Sequence, residues 1–291
     1  MKRKRAAPAL AFLLCAALRL DAQQAEHVTA AGREVAVWRP GVAAPPAGYP
    51  LIVFSHGFTG CNTQTGFLMQ ALARAGYLVL APNHRDAGCA GARHSGHGLR
   101  KLQVPFHESA RWSEATYRDL RDDIEAILDL ALAEKRFAGA PVDPGRIGIA
   151  GHSLGGYTAL GLAGGWPSWK DPRFKAVLAL SPYCSPFLAG RRLAEIGIPV
   201  MYQGGTRDSG ITPTLKKTAG AYDQSKKPKF YVELEGAGHL AWTDLNRAYV
   251  SSIDAYRVAF FDASLKGRKE ALNRLLDYGR PKDVSELRSA E

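Results

Sequence analysis

Long apolar runs are almost missing from this 291-residue chain. The best candidate, Ala6 to Leu18, is interrupted by Pro8 and falls short of the roughly 20 apolar residues that a membrane-spanning helix needs. No internal repeat and no low-complexity tract is visible, so solenoid and fibrous designs are excluded. Cysteine is scarce. Cys15 lies inside the N-terminal apolar run, which leaves Cys61, Cys89 and Cys184. An odd set leaves one thiol over, and spacing alone does not say which. His84, Cys89, His94 and His97 fall in one stretch, but their spacing fits no standard zinc pattern, so neither a metal nor a cofactor is expected. A long basic run is lacking too. Lys and Arg outnumber Asp and Glu by 38 to 27, yet they are scattered and accompany no nucleic-acid motif. A solvated basic surface is expected, with no nucleic-acid partner.

What is present begins with Lys2-Arg3-Lys4-Arg5, followed by the apolar run that Arg19 and Asp21 close. This reads as a secretory signal peptide over residues 1–22, with no stable membrane insertion and a secreted or periplasmic mature chain. Without those residues the formal charge falls from +11 to about +7, because five basic side chains and one acidic one leave. Residues 23–291, ordinary in hydrophobic and charged content, form a single domain.

Along that domain short apolar runs alternate with helical periodicity. Residues 26–38 suggest a strand or hairpin, and Leu51–Ser55, Tyr77–Ala81, Arg146–Ala150, Lys175–Leu180 and Ile198–Gln203 read as buried strands. Lys229–Leu234 reads as the last strand. Helical spacing covers about Gln64–Ala75, Glu114–Lys135, Thr214–Gln224 and a terminal segment from Ile253 to Leu265, with a short helix within 186–196. Residues 83–112 break the rhythm and read as a functional or flexible loop. The pattern predicts an α/β fold, a mostly parallel central sheet with helices on both faces and no large cap domain.

The chain is organised around Gly151-His152-Ser153-Leu154-Gly155-Gly156, which lies between an apolar strand and a helix. A G-x-S-x-G turn in that setting presents a serine hydroxyl at a helix N-terminus, where backbone N–H groups stabilise an oxyanion. Serine is a weak nucleophile at its free pKa, so a base must take its proton. His239, in the glycine-rich turn after Lys229–Leu234, suits that role. Asp208, after the preceding strand, would orient the imidazole, in competition with Asp244, Glu235 and Asp254. The N–H groups of Leu154 and Phe58 are the candidate oxyanion donors. Phe58, Tyr183 and Trp242 are candidates for lining a substrate pocket. His56 and His152 are expected to hold loop geometry.

From about residue 30 to 265 the sequence resembles the α/β-hydrolase superfamily, on His56-Gly57-Phe58, Gly151–Gly156, Gly205-Thr206-Arg207-Asp208 and Gly236-Ala237-Gly238-His239. Within it the chain looks like serine esterases related to dienelactone hydrolases, bacterial platelet-activating-factor acetylhydrolase-like proteins and cutinase-like polyester hydrolases. The resemblance implies a secreted carboxylic-ester hydrolase that uses Ser153, Asp208 and His239 through an acyl-enzyme. Polyester or phospholipid-type esters are alternative substrates, and a catalytically silent binding protein is the non-enzymatic alternative. Polyester hydrolases clamp substrate with two aromatic residues; Phe58 matches the first position, and Tyr183 stands where the second is tryptophan. The family's strand order sets Leu51–Ser55 beside Tyr77–Ala81, which implies a Cys61–Cys89 disulfide and leaves Cys184 free.

Overall fold

A computed structural model describes residues 24–89, 102–277 and 281–291. The segment read as a signal peptide lies outside these residues.

The strands are β1 (Glu26–Ala30), β2 (Arg33–Trp38), β3 (Tyr49–Ser55), β4 (Leu78–Pro82), β5 (Arg136–Phe137), β6 (Ala140–His152), β7 (Phe174–Leu180), β8 (Val200–Gly205), β9 (Lys229–Leu234) and β10 (Val284–Ala290). They pair in the order β1-β2-β4-β3-β6-β7-β8-β9-β10, with β5 attached to β6 alone. From β4 to β9 every neighbour is parallel. The antiparallel β1–β2 hairpin closes one edge against β4, and antiparallel β10 closes the other against β9. β10 therefore corrects the expectation that Lys229–Leu234 ends the sheet. Its sequence, Val-Ser-Glu-Leu-Arg-Ser-Ala, has no apolar run because an edge strand is held largely by its ladder and by contacts such as Arg288 to the Lys216 carbonyl (3.0 Å).

The helices are α1 (Gly66–Arg74), α2 (Arg118–Ala133), α3 (Leu154–Leu160), α4 (Ser185–Leu188), α5 (Thr212–Lys216), α6 (Ala221–Gln224), α7 (Val250–Lys266) and α8 (Lys269–Asp277). Alternation along the strands feeds two cores. Leu51, Val53, Leu78, Leu80, Ile147 and Ile149 face α2 and α3, whose Ile124, Leu128, Tyr157 and Leu160 complete one layer. Ile52, Phe54, Val79, Leu178 and Val232 face α1 and α7, whose Phe67, Leu72, Phe260 and Phe261 complete the other. Central strands covered on both faces explain why their sequences read as continuous apolar runs.

Some helical expectations shorten for local reasons. α2 starts at Arg118, not Glu114, because Tyr117 takes a left-handed conformation (φ 58°). The segment Thr214–Gln224 divides into α5 and α6 around Ala219 (φ 57°), and 186–196 divides at Arg191 (φ 50°) into α4 and a 3-10 turn. Between β4 and α2 the described residues hold one 3-10 turn, Phe106–Arg111. Among the described residues no helix is long and apolar enough to cross a membrane.

Among the described glycines, backbone approaches backbone most closely at the β6–α3 turn. A Cβ on Gly151 would lie 2.1 Å from the Gly155 carbonyl oxygen, and one on Gly155 would lie 2.0 Å from the Ser55 carbonyl oxygen. Both obstacles are backbone, which cannot swing aside as a side chain can. We expect Gly155→Ala to destabilise the fold by about 3 kcal/mol or more. Gly197→Ala, at a position with open space around it, should change stability by no more than about 0.5 kcal/mol. Urea unfolding midpoints of the two variants check the contrast, and equal midpoints would refute it.

Candidate active site

The carboxyl ends of β3, β6, β7, β8 and β9 share one edge of the sheet, and the site is built from the residues that follow them. Ser153 sits between β6 and α3 at φ 55°, ψ −115°, outside the regions that non-glycine residues favour. The fold holds this geometry from both sides: the Ser153 N–H donates to the Leu180 carbonyl (3.0 Å), and the Ser153 carbonyl accepts from the Tyr183 N–H (2.9 Å).

The three residues expected to act together are adjacent. Ser153 Oγ lies 2.9 Å from His239 Nε2, and His239 Nδ1 lies 3.1 Å from Asp208 Oδ2. Asp208 is buried, whereas the His239 ring is 37% exposed. Of the competing carboxylates, Asp244 is spent elsewhere, capping α1 through the N–H groups of Gly66 (3.0 Å) and Phe67 (3.2 Å). The loops after β8 and β9 meet because Gly205 lets the Ala237 backbone approach, and Arg207 N–H donates to the Ala237 carbonyl at 3.0 Å.

Two polar residues in this network escape sequence reasoning. Ser181, fully buried just past β7, has its Oγ 2.8 Å from His239 Nδ1 and donates a short hydrogen bond to Asp208 Oδ2. Its hydroxyl thus bridges imidazole and carboxylate. Gln64 reaches His152. No motif marks either residue; the only local signal for Ser181 is its place at a strand end, beside those of the expected triad.

His56, expected to hold loop geometry, bonds to two main-chain groups. His56 donates from Nδ1 to the Gly57 carbonyl (2.8 Å) and accepts the His84 N–H at Nε2 (3.0 Å). Gly57 O and Phe58 N–H belong to one peptide plane, so the His56 ring sets the direction of the Phe58 N–H. Among the described residues neither the Phe58 nor the Leu154 N–H has a protein acceptor. Gly57 packs against Ser153: a Cβ on Gly57 would lie 3.3 Å from the Ser153 Cβ. His84 joins Ser55 Oγ (2.9 Å) to Asp123 (3.0 Å), which also binds Arg33 (2.7 Å). Burial raises the Asp123 pKa, but the His84 hydrogen bond and charge, with Arg33, outweigh it and hold the carboxyl below its usual range. Cys61 and Cys89 form the disulfide, and Cys184 is a buried thiol that burial pushes up to about 11. His94 and His97 lie outside the described residues.

Two cavities flank Ser153 and His239. One, of about 400 Å³, is lined by Phe58, Thr63, Gln64, Leu240, Thr243 and Leu245 among others. The second, of about 420 Å³, is lined by Phe106, His107, Tyr183 and Ile211 on the far side. Phe58 thus lines the first cavity and Tyr183 the second. Trp242 lines neither, and its expected place in a pocket is corrected: its ring is fully buried in the core beneath the sheet edge, and its Nε1 donates to Gln203 Oε1 (2.9 Å). It anchors the turn that carries His239. Phe106, from the irregular segment, takes an unforeseen place beside Tyr183, ring centroids 4.9 Å apart.

Burial lowers the pKa of His152 to about 3, with the neighbouring His239 charge acting in the same direction. Burial also lowers His56 to about 4, with His84 adding to it. Both values lie below the ordinary 6.5, so the unfolded chain binds more protons once the pH drops below 6.5. Each histidine then costs up to about 1.4 kcal/mol of stability per pH unit. The loss continues down to about pH 4 for His56 and about pH 3 for His152. We expect a stability decline of about 2 to 3 kcal/mol per pH unit below pH 6 from the pair. Urea unfolding at pH 7, 5.5 and 4.5 tests this; a flat profile would show that the imidazoles are not held neutral.

The sequence is similar to those of known proteins. The Esterase family model matches residues 28–243. Cutinase est2 of Thermobifida alba is 25% identical over 214 residues, covering 73% of this chain and 58% of that protein. A platelet-activating factor acetylhydrolase of Cavia porcellus is 26% identical over 227 residues, covering 69% of this chain and 49% of that protein. Cutinase 2 of Thermobifida cellulosilytica is 25% identical over 195 residues, covering 66% of this chain and 61% of that protein. The chain thus spans between 49% and 61% of the length of these relatives. With a mostly parallel sheet between two helical layers and a family match over most of its described length, the chain belongs to the esterase family and has the α/β-hydrolase fold.

Proposed function

We propose that this protein is a serine hydrolase of carboxylic esters. The observation that carries the reading is the 2.9 Å approach of Ser153 Oγ to His239 Nε2 at a strained strand–helix turn, with a cavity on either side.

The chemistry follows from the partners. His239 keeps its proton on Nδ1, facing Asp208 and Ser181, so Nε2 is free to accept the Ser153 proton as Oγ bonds to the ester carbonyl carbon. The carbonyl π electrons move onto oxygen, and the Leu154 and Phe58 N–H groups bind that oxyanion. Collapse expels the alkoxide, which takes the proton from His239 Nε2 and leaves as the alcohol. Water then loses a proton to the same nitrogen and attacks the acyl-enzyme, and Ser153 regains its proton as the acid departs. Asp208 and Ser181 hold the imidazole in the required tautomer and stabilise its charged form.

The two cavities suit an ester with a sizeable group on each side of the scissile bond. Phe58, Phe106 and Tyr183 give the site aromatic walls, which favour aryl or polyester-type esters over the smallest acetates. The names of the relatives, cutinase and platelet-activating factor acetylhydrolase, bracket the same ester chemistry. The reading of residues 1–22 as a signal peptide and the Cys61–Cys89 disulfide support a secreted or periplasmic location.

Residues 23–291 and the Ser153→Ala variant should be assayed on 4-nitrophenyl esters from acetate to palmitate. The expected result is turnover that falls by a factor on the order of 10⁴ in the variant, with unfolding unchanged. A fluorophosphonate should label the parent and not the variant. An unlabelled, folded, inactive parent would identify a binding protein of the same fold.

A further inference from the structure

Gln64 lies in the turn after the oxyanion loop, and its amide contacts two loops at once. Its Oε1 accepts the Gly57 N–H at 3.3 Å, one peptide before the Phe58 N–H. Its Nε2 donates to His152 Nδ1 at 3.1 Å. His152, kept neutral by burial, then has its proton on Nε2 and donates it to the main-chain carbonyl of His239 at 2.9 Å. The Gln64 main chain repeats the connection, because its carbonyl accepts the Asp244 N–H at 2.8 Å, from the segment that follows the His239 turn. The site is shaped for this amide: a Cβ on Gly60 would lie 1.6 Å from Gln64 Oε1. Gln64 is also fixed from behind, since its N–H donates to the carbonyl of disulfide-bonded Cys61 at 3.0 Å.

We infer that Gln64 is a positioning residue that ties the oxyanion loop to the loop of the base, through His152. This rests on the reading of Ser153 and His239 as nucleophile and base. Without the amide, Gly57 N–H and His152 Nδ1 both lose a partner beside the cavity, and the His239 backbone and the Phe58 peptide are free to drift independently. Such a loss affects the transition state, in which the base and the oxyanion donor act together, more than the binding of ground-state ester.

Gln64→Met and Gln64→Leu, which keep bulk and remove both hydrogen bonds, test this with 4-nitrophenyl butyrate. The expected result is a fall in kcat on the order of 10-fold to 100-fold, KM within about 3-fold of the parent, and fluorophosphonate labelling slowed in parallel. Melting is followed alongside, and a variant that melts early is assayed below its transition. A kcat within about twofold of the parent overturns the inference. So does a raised KM at unchanged kcat, which would make Gln64 a substrate contact alone. Ser153→Ala is run with them: if it stays active, the reading of the nucleophile fails; if it is inactive while both Gln64 variants keep full kcat, only the role of Gln64 fails.

Discussion

Everything at the sheet edge depends on how closely the first turn of α3 approaches the ends of β3 and β6. With the Ser55 carbonyl 2.0 Å from where a Gly155 Cβ would be, there is room for backbone and nothing else. Next to that contact, Ser153 lies beside Gly57 and takes a positive φ. The strain is sustained by the surroundings: buried α3 side chains on one side, and the Ser153–Leu180 and Tyr183–Ser153 backbone hydrogen bonds on the other.

Around that fixed point, polar groups connect loops that follow different strands. Ser181 joins the end of β7 to Asp208 and His239. His152 joins the end of β6 to the main chain after β9, and His56 joins the end of β3 to the segment after β4. In each case a buried donor meets an acceptor, which is the condition under which burying polar groups is tolerable. The Cys61–Cys89 disulfide adds a covalent link between the segments after β3 and β4, where Thr59 N–H already reaches Asp86 (2.9 Å) and Gly88 N–H reaches the Gly60 carbonyl (2.9 Å).

What could be read in the sequence was what local pattern encodes. Apolar runs gave the central strands because both faces of the sheet are covered, and each expected member of the triad stands within a few residues of the end of one of those strands. β10 escaped because an edge strand needs no apolar run. Trp242 reads as a pocket residue because its position beside His239 is visible in sequence, whereas the core it enters is made by Gln203 and by residues of α7 far along the chain. Ser181 and Gln64 escaped for a related reason: their histidine partners, His239 and His152, are 58 and 88 residues away, and an isolated serine or glutamine carries no periodicity.

Several side chains that wall the two cavities take no part in the bonds between Ser153, Asp208 and His239. Leu240, Leu245, Phe106, His107 and Ile211 belong to connecting segments, and Leu245 is 82% exposed. Ser153, Asp208 and His239 are held by strand ends and by the buried bonds behind them. Exchanging any of these five wall side chains therefore leaves those bonds intact. Variation among descendants of such a chain has a cheap direction, in which the shape of the accepted molecule drifts from lineage to lineage while the apparatus that acts on it is inherited unaltered.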